Sequence, residues 1–381
     1  MLKLNKVAIL VKTSLQFDGR VISQIDNLSK NFKNTEFRIF LLSDGPFDLS
    51  FNNNCHVDEI SLITRRAPKS SLFQLFKVLE FGFKAFLKIK KFDPDILHVH
   101  DDTACFGAIF YKLFFSKKII IYDDHELKYV RPKSFNDKIS FLIEKFMYKI
   151  SNIIIVANYE RKRLASVIYN NKNIIIHENY FFNRQTNKLK NSNLINLEKK
   201  INLLRSENKK IILHQGQITE IRGSKDIVLL VNNLPENFKV LLIGINYYDY
   251  QKFLKIINKS KKNVVVFGGF IDYHHIKEVY KIIDYCLIIY KNLNLNNKYC
   301  APNRVYLAYY FGKPIIANKE NPVLSDFVKK TGCGTLFDVN SNLELMFNLL
   351  QHLPTFTDQL YLKNDINPKK IVDVYNKLIK A

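Results

Sequence analysis

Two short stretches of this chain gather side chains that can move protons or hold polar ligands. They are His98-Val99-His100-Asp101-Asp102-Thr103 and Asp123-Asp124-His125-Glu126. Each follows an apolar, strand-like run, so each sits where a strand ends and a loop begins. Histidine and carboxylate groups in such loops bind sugar hydroxyls or act as acids and bases. A cation site is the alternative, because His100, Asp101, Asp123 and His125 are all ligand types. Their mixed character and irregular spacing match no recognised metal, so no metal is expected. Asp93-Pro94-Asp95 has an Asp-x-Asp outline, but a proline just before a strand marks a turn.

A second set of residues suits anions. Tyr299-Cys300-Ala301-Pro302-Asn303-Arg304 leads into a short apolar helix that ends at Gly312-Lys313-Pro314. Proline at a helix start costs little, and the free N–H groups there, with Arg304, suit a phosphate. Gln215-Gly216-Gln217 follows a strand, and Arg222-Gly223 opens the next helix, placing Arg222 to meet a phosphate or, equally, solvent. Asp18-Gly19-Arg20 opens the first helix. Gly19 lets backbone approach a pyrophosphate with Arg20 nearby, while Asp18 alone accounts for the turn as an ordinary helix cap. One glycine there is too few for a dinucleotide fingerprint.

The composition narrows the partners. The chain has 381 residues and a formal charge of +23, enough for two domains and for attraction to nucleic acid, anionic lipid or phosphorylated small molecules. Lysine spread among Asn and Ile also reads as a plain composition bias. No recognition helix, zinc finger or aromatic RNA platform is visible, so no nucleic-acid partner is expected. No run of apolar residues is long enough to span a bilayer. The start runs directly into a strand without an export-type signal, and five scattered cysteines match no zinc or redox spacing. The expectation is a cytoplasmic protein with reduced thiols.

The elements that must position these loops alternate in type. Strand-like runs at 6–11, 36–42, 95–100, 118–122, 153–157 and 174–177 are interleaved with helical patterns at 20–32, 71–91, 104–114 and 135–149. A second series of strands follows at 210–214, 239–244, 263–267, 285–290 and 314–317. Alternation of this kind predicts parallel sheets covered on both faces, with ligands beyond the strand C-termini. The expected division is a first α/β domain over 1–182, a polar, lysine-rich linker and lead-in over 183–209, and a second α/β domain over 210–365.

Taken in order, Asp18-Gly19-Arg20-Val21, His98-Val99-His100-Asp101, Tyr122-Asp123-Asp124-His125-Glu126, Gln215-Gly216 with Arg222-Gly223, Asn297 to Arg304 and Gly312-Lys313-Pro314-Ile315-Ile316-Ala317 resemble glycosyltransferase family 4, in its subgroup with a Tyr-Cys-x-Pro-Asn turn. The resemblance spans nearly the whole chain. It implies the GT-B fold, with two tandem doubly wound Rossmann-like domains facing across a cleft and a last helix (366–381) returning to the first. It implies a retaining enzyme that needs neither metal nor cofactor. Such an enzyme moves a sugar from a nucleotide-diphosphate sugar to a glycan or lipid-linked acceptor in assembly of capsule, O-antigen or lipopolysaccharide. Carried over residue by residue, Arg222 neutralises the leaving diphosphate, with Gly19, Arg20, Gly216, Pro302, Asn303 and Arg304 on the donor side. His125 stands near the reacting sugar, with His100, Asp101 and Glu126 on the acceptor side. No catalytic carboxylate is assigned.

Three positions depart from that pattern. Tyr299 and Leu307 occupy the sites of the family's paired glutamates, and Gln217 replaces a basic residue beside the phosphates. Leucine cannot accept a ribose hydrogen bond. A degenerate GT-B protein that binds glycan, nucleotide or a partner transferase without catalysis is therefore the alternative. A nucleotide-sugar epimerase on the same fold fits the motif order less well. Finally, residues 65–91 combine many phenylalanines with a lysine stripe in helical period. Such a helix suits an anionic membrane surface, or else it is a core helix with its lysines in water. Gly82 in its middle reads as a weak point for the helix.

Overall fold

The computed structural model of the chain describes residues 3–12, 15, 18–43, 50–68, 70–127, 135–171, 173–180, 192–271, 275–338, 340, 342–353 and 369–380. The chain divides into two compact units, Met1–Glu178 with Asn367–Ala381, and Asn179–Ile366. Each has its own parallel sheet, as the alternating pattern predicts.

The first unit carries strands β1 (Lys6–Val11), β2 (Glu36–Leu42), β3 (Cys55–Ile60), β4 (Ile96–His100), β5 (Ile119–Asp124), β6 (Ile153–Val156) and β7 (Ile174–Ile176). Their order in the sheet is β3-β2-β1-β4-β5-β6-β7, and the order reverses between β1 and β4. The helices are α1 (Gly19–Asn31), α2 (Ser71–Phe92), α3 (Cys105–Phe114), α4 (Phe135–Ile150) and α5 (Tyr159–Tyr169). The second unit begins with α6 (Ser192–Ser206) and continues β8 (Lys210–Gln215), α7 (Ser224–Asn232), β9 (Phe238–Ile243), α8 (Tyr247–Ile256), β10 (Val265–Gly269) and α9 (Ile276–Ile282). It goes on with β11 (Tyr285–Ile288), α10 (Leu295–Lys298), α11 (Asn303–Tyr310), β12 (Ile315–Asn318), α12 (Pro322–Thr331), β13 (Gly334–Phe337) and α13 (Leu343–Gln351). Its sheet runs β10-β9-β8-β11-β12-β13, reversing between β8 and β11. A last helix, α14 (Lys370–Lys380), belongs to the first unit.

Burial explains the placement. On one face of the first sheet, Ile9, Ile39 and Ile121 pack under α1 and α14, where Ile25, Ile371 and Tyr375 are fully buried. On the other face, Leu10, Val99 and Ile120 meet Phe81, Ala85, Tyr111 and Met147 of α2, α3 and α4. Adjacent residues of a strand thus serve opposite faces, the period that makes these strands read as continuous apolar runs.

Two strands absent from the sequence reading, β3 and β13, lie at sheet edges. The expected linker also changes character. Over 192–206 it is the helix α6, whose Leu194, Leu197 and Ile201 are buried in the core of the second unit. Residues 183–191, and 366–369 apart from 369 of the expected last helix, otherwise lie outside the described residues.

Helix α2 corrects two expectations. Its lysines are not a free stripe. Lys77 Nζ donates to the Ala67 carbonyl at 2.8 Å, and Lys84 Nζ pairs with Glu80 at 2.7 Å and donates to the Ser61 carbonyl at 2.9 Å. Lys88 reaches the Glu59 carbonyl at 3.1 Å. They stitch the helix to the segment before it. Gly82 is no weak point either, since it is where α2 and α3 touch. A Cβ there would lie 2.5 Å from Phe106 Cβ and 3.1 Å from the Gly107 nitrogen. Alanine would gain about 1 kcal/mol of helix propensity but force the helices apart at about 1–3 kcal/mol. We expect Gly82→Ala to lower the denaturant midpoint, a loss of roughly 1 kcal/mol, and equilibrium unfolding monitored by circular dichroism checks it.

Candidate functional site

In each unit the chemistry-bearing residues meet where the strand order reverses, the usual position of a ligand crevice in such sheets. In the first unit the centre is Asp123, at the end of β5 and fully buried. Parallel register sets His100 of β4 beside it, and alternation along β4 puts His98 on the same face. Helix α1 crosses that face and presents Arg20 and Gln24, one turn apart. Arg20 donates to both carboxylate oxygens, Nη2 to Oδ1 at 2.6 Å and Nε to Oδ2 at 3.1 Å. Gln24 donates to Oδ2 at 2.7 Å. His100 Nδ1 and His125 Nε2 lie 3.3 Å and 3.4 Å from the same oxygen. Behind them His98 stacks on His100 with ring centroids 4.3 Å apart, and its Nδ1 is 3.0 Å from the Tyr375 hydroxyl of α14.

The electrostatics follow from this crowd. Burial favours the neutral form of Asp123, but Arg20 and then His125 outweigh it and hold the carboxyl well below its ordinary range. Burial likewise opposes charge on His125, yet the Asp123 carboxylate prevails and raises the imidazole to about 9. His98 and His100 are pushed down by burial, and His177 falls to about 3 through burial and Arg20. The site therefore holds one imidazolium, His125, among neutral histidines. At neutral pH that group donates hydrogen bonds or protons and is no base.

His98, His100 and Asp123 place potential ligand atoms within 4.8 Å of one another. A guanidinium already spans both oxygens of Asp123, with an amide and an imidazolium beside it. These donors repel a cation, so the donor set does not suit one. Asp101, with φ 63°, accepts its own loop's Asp102 N–H at 2.9 Å. Glu126 is exposed on the turn after His125. Gly19 is the buried first residue of α1, and Asp18 caps that helix by accepting from Val21 N–H. Arg20, assigned to donor phosphates by resemblance, is only 7 % exposed and committed to Asp123. It also donates to the His177 carbonyl. Its role is to position the cluster, which corrects that assignment.

In the second unit, three strand ends close on glycines in the left-handed region. Gly216, Gly244 and Gly269 have φ of 104°, 70° and 64°. Gly216 N–H donates to the Ile243 carbonyl and Gly244 N–H to Gly269, both at 2.7 Å. Over this shelf lies Arg222, so close that a Cβ on Gly216 would sit 2.0 Å from its Nη1. Arg304, the second residue of α11, donates to the Gln215 carbonyl at 2.5 Å, while its buried Nη2 has no partner. Both guanidiniums flank the Tyr290 ring, at 6.0 Å and 5.1 Å. Among the described residues neither has a carboxylate in ion-pair reach. His214 beneath them stays neutral, lowered to about 3 by burial, then by Arg304 and Arg222. Two unneutralised cations over a glycine backbone shelf suit an anion. Pro302 caps α11 and Asn303 is exposed at its first position.

Leu307 is 2 % exposed and packed in the second unit's core. The position that the resemblance aligns with a ribose-binding glutamate is thus a core residue in this chain. Gln24, Tyr290, His214 and Tyr375 were missed in the sequence. Only Gln24 carried a signal, four residues after Arg20 on one helix face.

Comparison with known proteins agrees with this fold. Residues 196–353, most of the second unit, match the family model described as Glycosyl transferases group 1. A protein of Methanocaldococcus jannaschii described as uncharacterized glycosyltransferase MJ1069 is 23% identical over 320 residues, 78% of each chain. Among solved structures, WaaG, a glycosyltransferase involved in lipopolysaccharide biosynthesis, superposes with a TM-score of 0.70 at 13% identity, covering 97% of this chain and 99% of that one. HepE of Anabaena in complex with UDP-glucose gives 0.67 at 15% identity, covering 99% and 100%. The fold is GT-B.

The raised value of His125 has a definite sign. Folding favours its charged form, so its stabilising contribution is complete below its unfolded value of 6.5 and is lost as pH rises through about 9. Replacing Asp123→Asn removes the charge that holds the proton. We expect the His125 ring signal to titrate near 9 in the wild type and below 6.5 in the variant, read by NMR of the imidazole protons.

Proposed function

We propose that the chain is a retaining, metal-independent glycosyltransferase that moves a sugar from a nucleotide-diphosphate sugar to a glycan or lipid-linked acceptor of the cell surface. One observation carries the reading: Arg222 and Arg304 stand at the Gly216 shelf, and among the described residues no carboxylate is in ion-pair reach of either. Glycosyl transfer passes through an oxocarbenium-like state while the diphosphate leaves with growing negative charge, and fixed cations stabilise that charge selectively. In this reading Arg222 takes that role. Arg304, anchored on the Gln215 carbonyl, holds the shelf and adds to the field. The UDP-glucose named for HepE and the lipopolysaccharide role named for WaaG support a nucleotide-diphosphate donor and an envelope acceptor.

On the acceptor side His125, held as an imidazolium by Asp123, donates to an oxygen of the reacting sugar. No carboxylate is assigned as nucleophile. A second reading rests on Leu307. With leucine buried there, the ribose loses a hydrogen-bond acceptor, and the protein binds nucleotide or glycan without turnover. The two readings part on one experiment. We expect a panel of nucleotide sugars to include one that is turned over. Arg222→Ala should weaken UDP binding about 10- to 100-fold, the scale of a charge-assisted hydrogen bond, and abolish transfer. Saturable binding without turnover toward any donor favours the second reading, and a variant that binds UDP like the wild type removes both.

No helix among the described residues is long and apolar enough to cross a membrane. Peripheral contact with an anionic membrane is proposed instead. With Lys77, Lys84 and Lys88 held to backbone carbonyls before the helix, the contact rests on exposed apolar groups: Phe76 and Phe83 of α2, Leu113 and Phe114 of α3, and Leu142 of α4. Exposed aromatic rings partition into the headgroup region, and the overall positive charge favours anionic lipid. We expect the protein to sediment with vesicles containing phosphatidylglycerol, and Phe76→Ser with Phe83→Ser and Phe114→Ser to abolish this. Equal recovery in the supernatant with or without anionic lipid would sink the idea.

A further inference from the structure

The cluster around Asp123 meets solvent at one pair of side chains. Those of His100 and Asp123 are 1 % and 0 % exposed, whereas those of His125 and Asp18 are each 17 % exposed. His125 turns Nε2 inward, 3.4 Å from Asp123 Oδ2 and 3.4 Å from His100 Nδ1, which leaves Nδ1 for another partner. That nitrogen lies 4.0 Å from Asp18 Oδ2. Asp18 uses its other oxygen, Oδ1, for the α1 cap, accepting from Val21 N–H at 3.2 Å. Among the described residues neither Nδ1 of His125 nor Oδ2 of Asp18 has a hydrogen-bond partner. The two arms are fixed independently, Asp18 by its cap and His125 by Asp123 and by Arg161, which donates to the His125 carbonyl.

A gap of 4.0 Å is too long for a direct hydrogen bond and suits one oxygen held between the two groups. An oxygen about 2.8 Å from each subtends about 90° there, an angle a hydroxyl accepts. The charges then select the ligand class. The imidazolium repels a cation and the carboxylate repels an anion, whereas a hydroxyl accepts from one and donates to the other. We propose that Asp18 is a ligand-binding residue: with His125 it clamps one sugar hydroxyl, Oδ2 accepting the hydroxyl proton and Nδ1–H donating to its oxygen. Asp18 thereby determines specificity as well as capping α1. Calling that sugar a substrate rests on the transferase reading. The hydroxyl binding does not.

The test is a double-mutant cycle between Asp18 and the hydroxyl, on the full chain, read by NMR of the His125 ring protons. It is run at about pH 6, below the His125 value of about 9. Methyl α-glucoside, α-galactoside and α-mannoside are titrated first, then the monodeoxy analogues of the one that binds. We expect a saturable shift with the parent glycoside and about tenfold weaker binding of one deoxy analogue. Asparagine caps a helix as well as aspartate does but places an amide donor where Oδ2 accepts. Asp18→Asn should therefore keep the melting temperature, weaken the parent glycoside about tenfold and erase the discrimination against the deoxy analogue. Asp18→Ser, a cap residue too short to reach the gap, should do the same. A glycoside bound equally by the wild type and both variants overturns the proposal, as does the absence of a saturable shift with every glycoside. UDP-glucose identifies the source of the hydroxyl. Displacement of the glycoside assigns it to the donor sugar and joint binding assigns it to the acceptor, and either supports the clamp. UDP titrated alone keeps the two readings apart, because its failure condemns the donor site and leaves the glycoside series standing.

Discussion

A buried carboxylate holds the first unit's loops together. Asp123 has no contact with water, so its charge survives only because donors from α1, from β4 and from the turn after β5 converge on it. Removing one partner of a buried ion pair costs about 3–5 kcal/mol, since the other charge is left unpaired. That penalty fixes Arg20, and through it the start of α1. It also fixes the proton on His125. Position and protonation state are thus set by the same group.

The second unit uses its arginines in the opposite way. Arg20 is neutralised by a carboxylate, whereas Arg222 and Arg304 share only a tyrosine ring. Chemically the three guanidiniums are alike. What separates a structural cation from a ligand-binding one is whether the fold supplies a counter-charge, and in the second unit the described residues supply none. The backbone takes part as well. A Cβ on Gly244 would fall 3.1 Å from the Gly216 Cα, and one on Gly216 would fall 2.0 Å from Arg222 Nη1, so side chains at these two positions would crowd the shelf.

Much of this was legible in the sequence. Central strands such as β5 and β8 are buried on both faces and read as unbroken apolar runs. The strands that escaped notice, β3 with its Cys55-His56-Val57-Asp58-Glu59-Ile60 and the short β13, are edge strands half in solvent, where no apolar run is required. The polar loops at strand ends identified His100, Asp123, His125, Gly216 and Arg222. The charge partners stayed hidden. Nothing local in the sequence pairs Arg20 with a carboxylate 103 positions away, or turns the lysines of α2 toward backbone carbonyls. Leu307 was visible as a departure, but only its burial shows that it serves the core.

The first unit is assembled from two separated pieces of chain. Its face over β1 and β4 is closed by α14, and His98 waits for a hydroxyl 277 positions further along. During synthesis, that face has α1 but lacks its second cover until α14 has left the ribosome. The second unit, continuous in sequence, has no such delay. The order of completion is therefore inverted, and the half begun first is finished last.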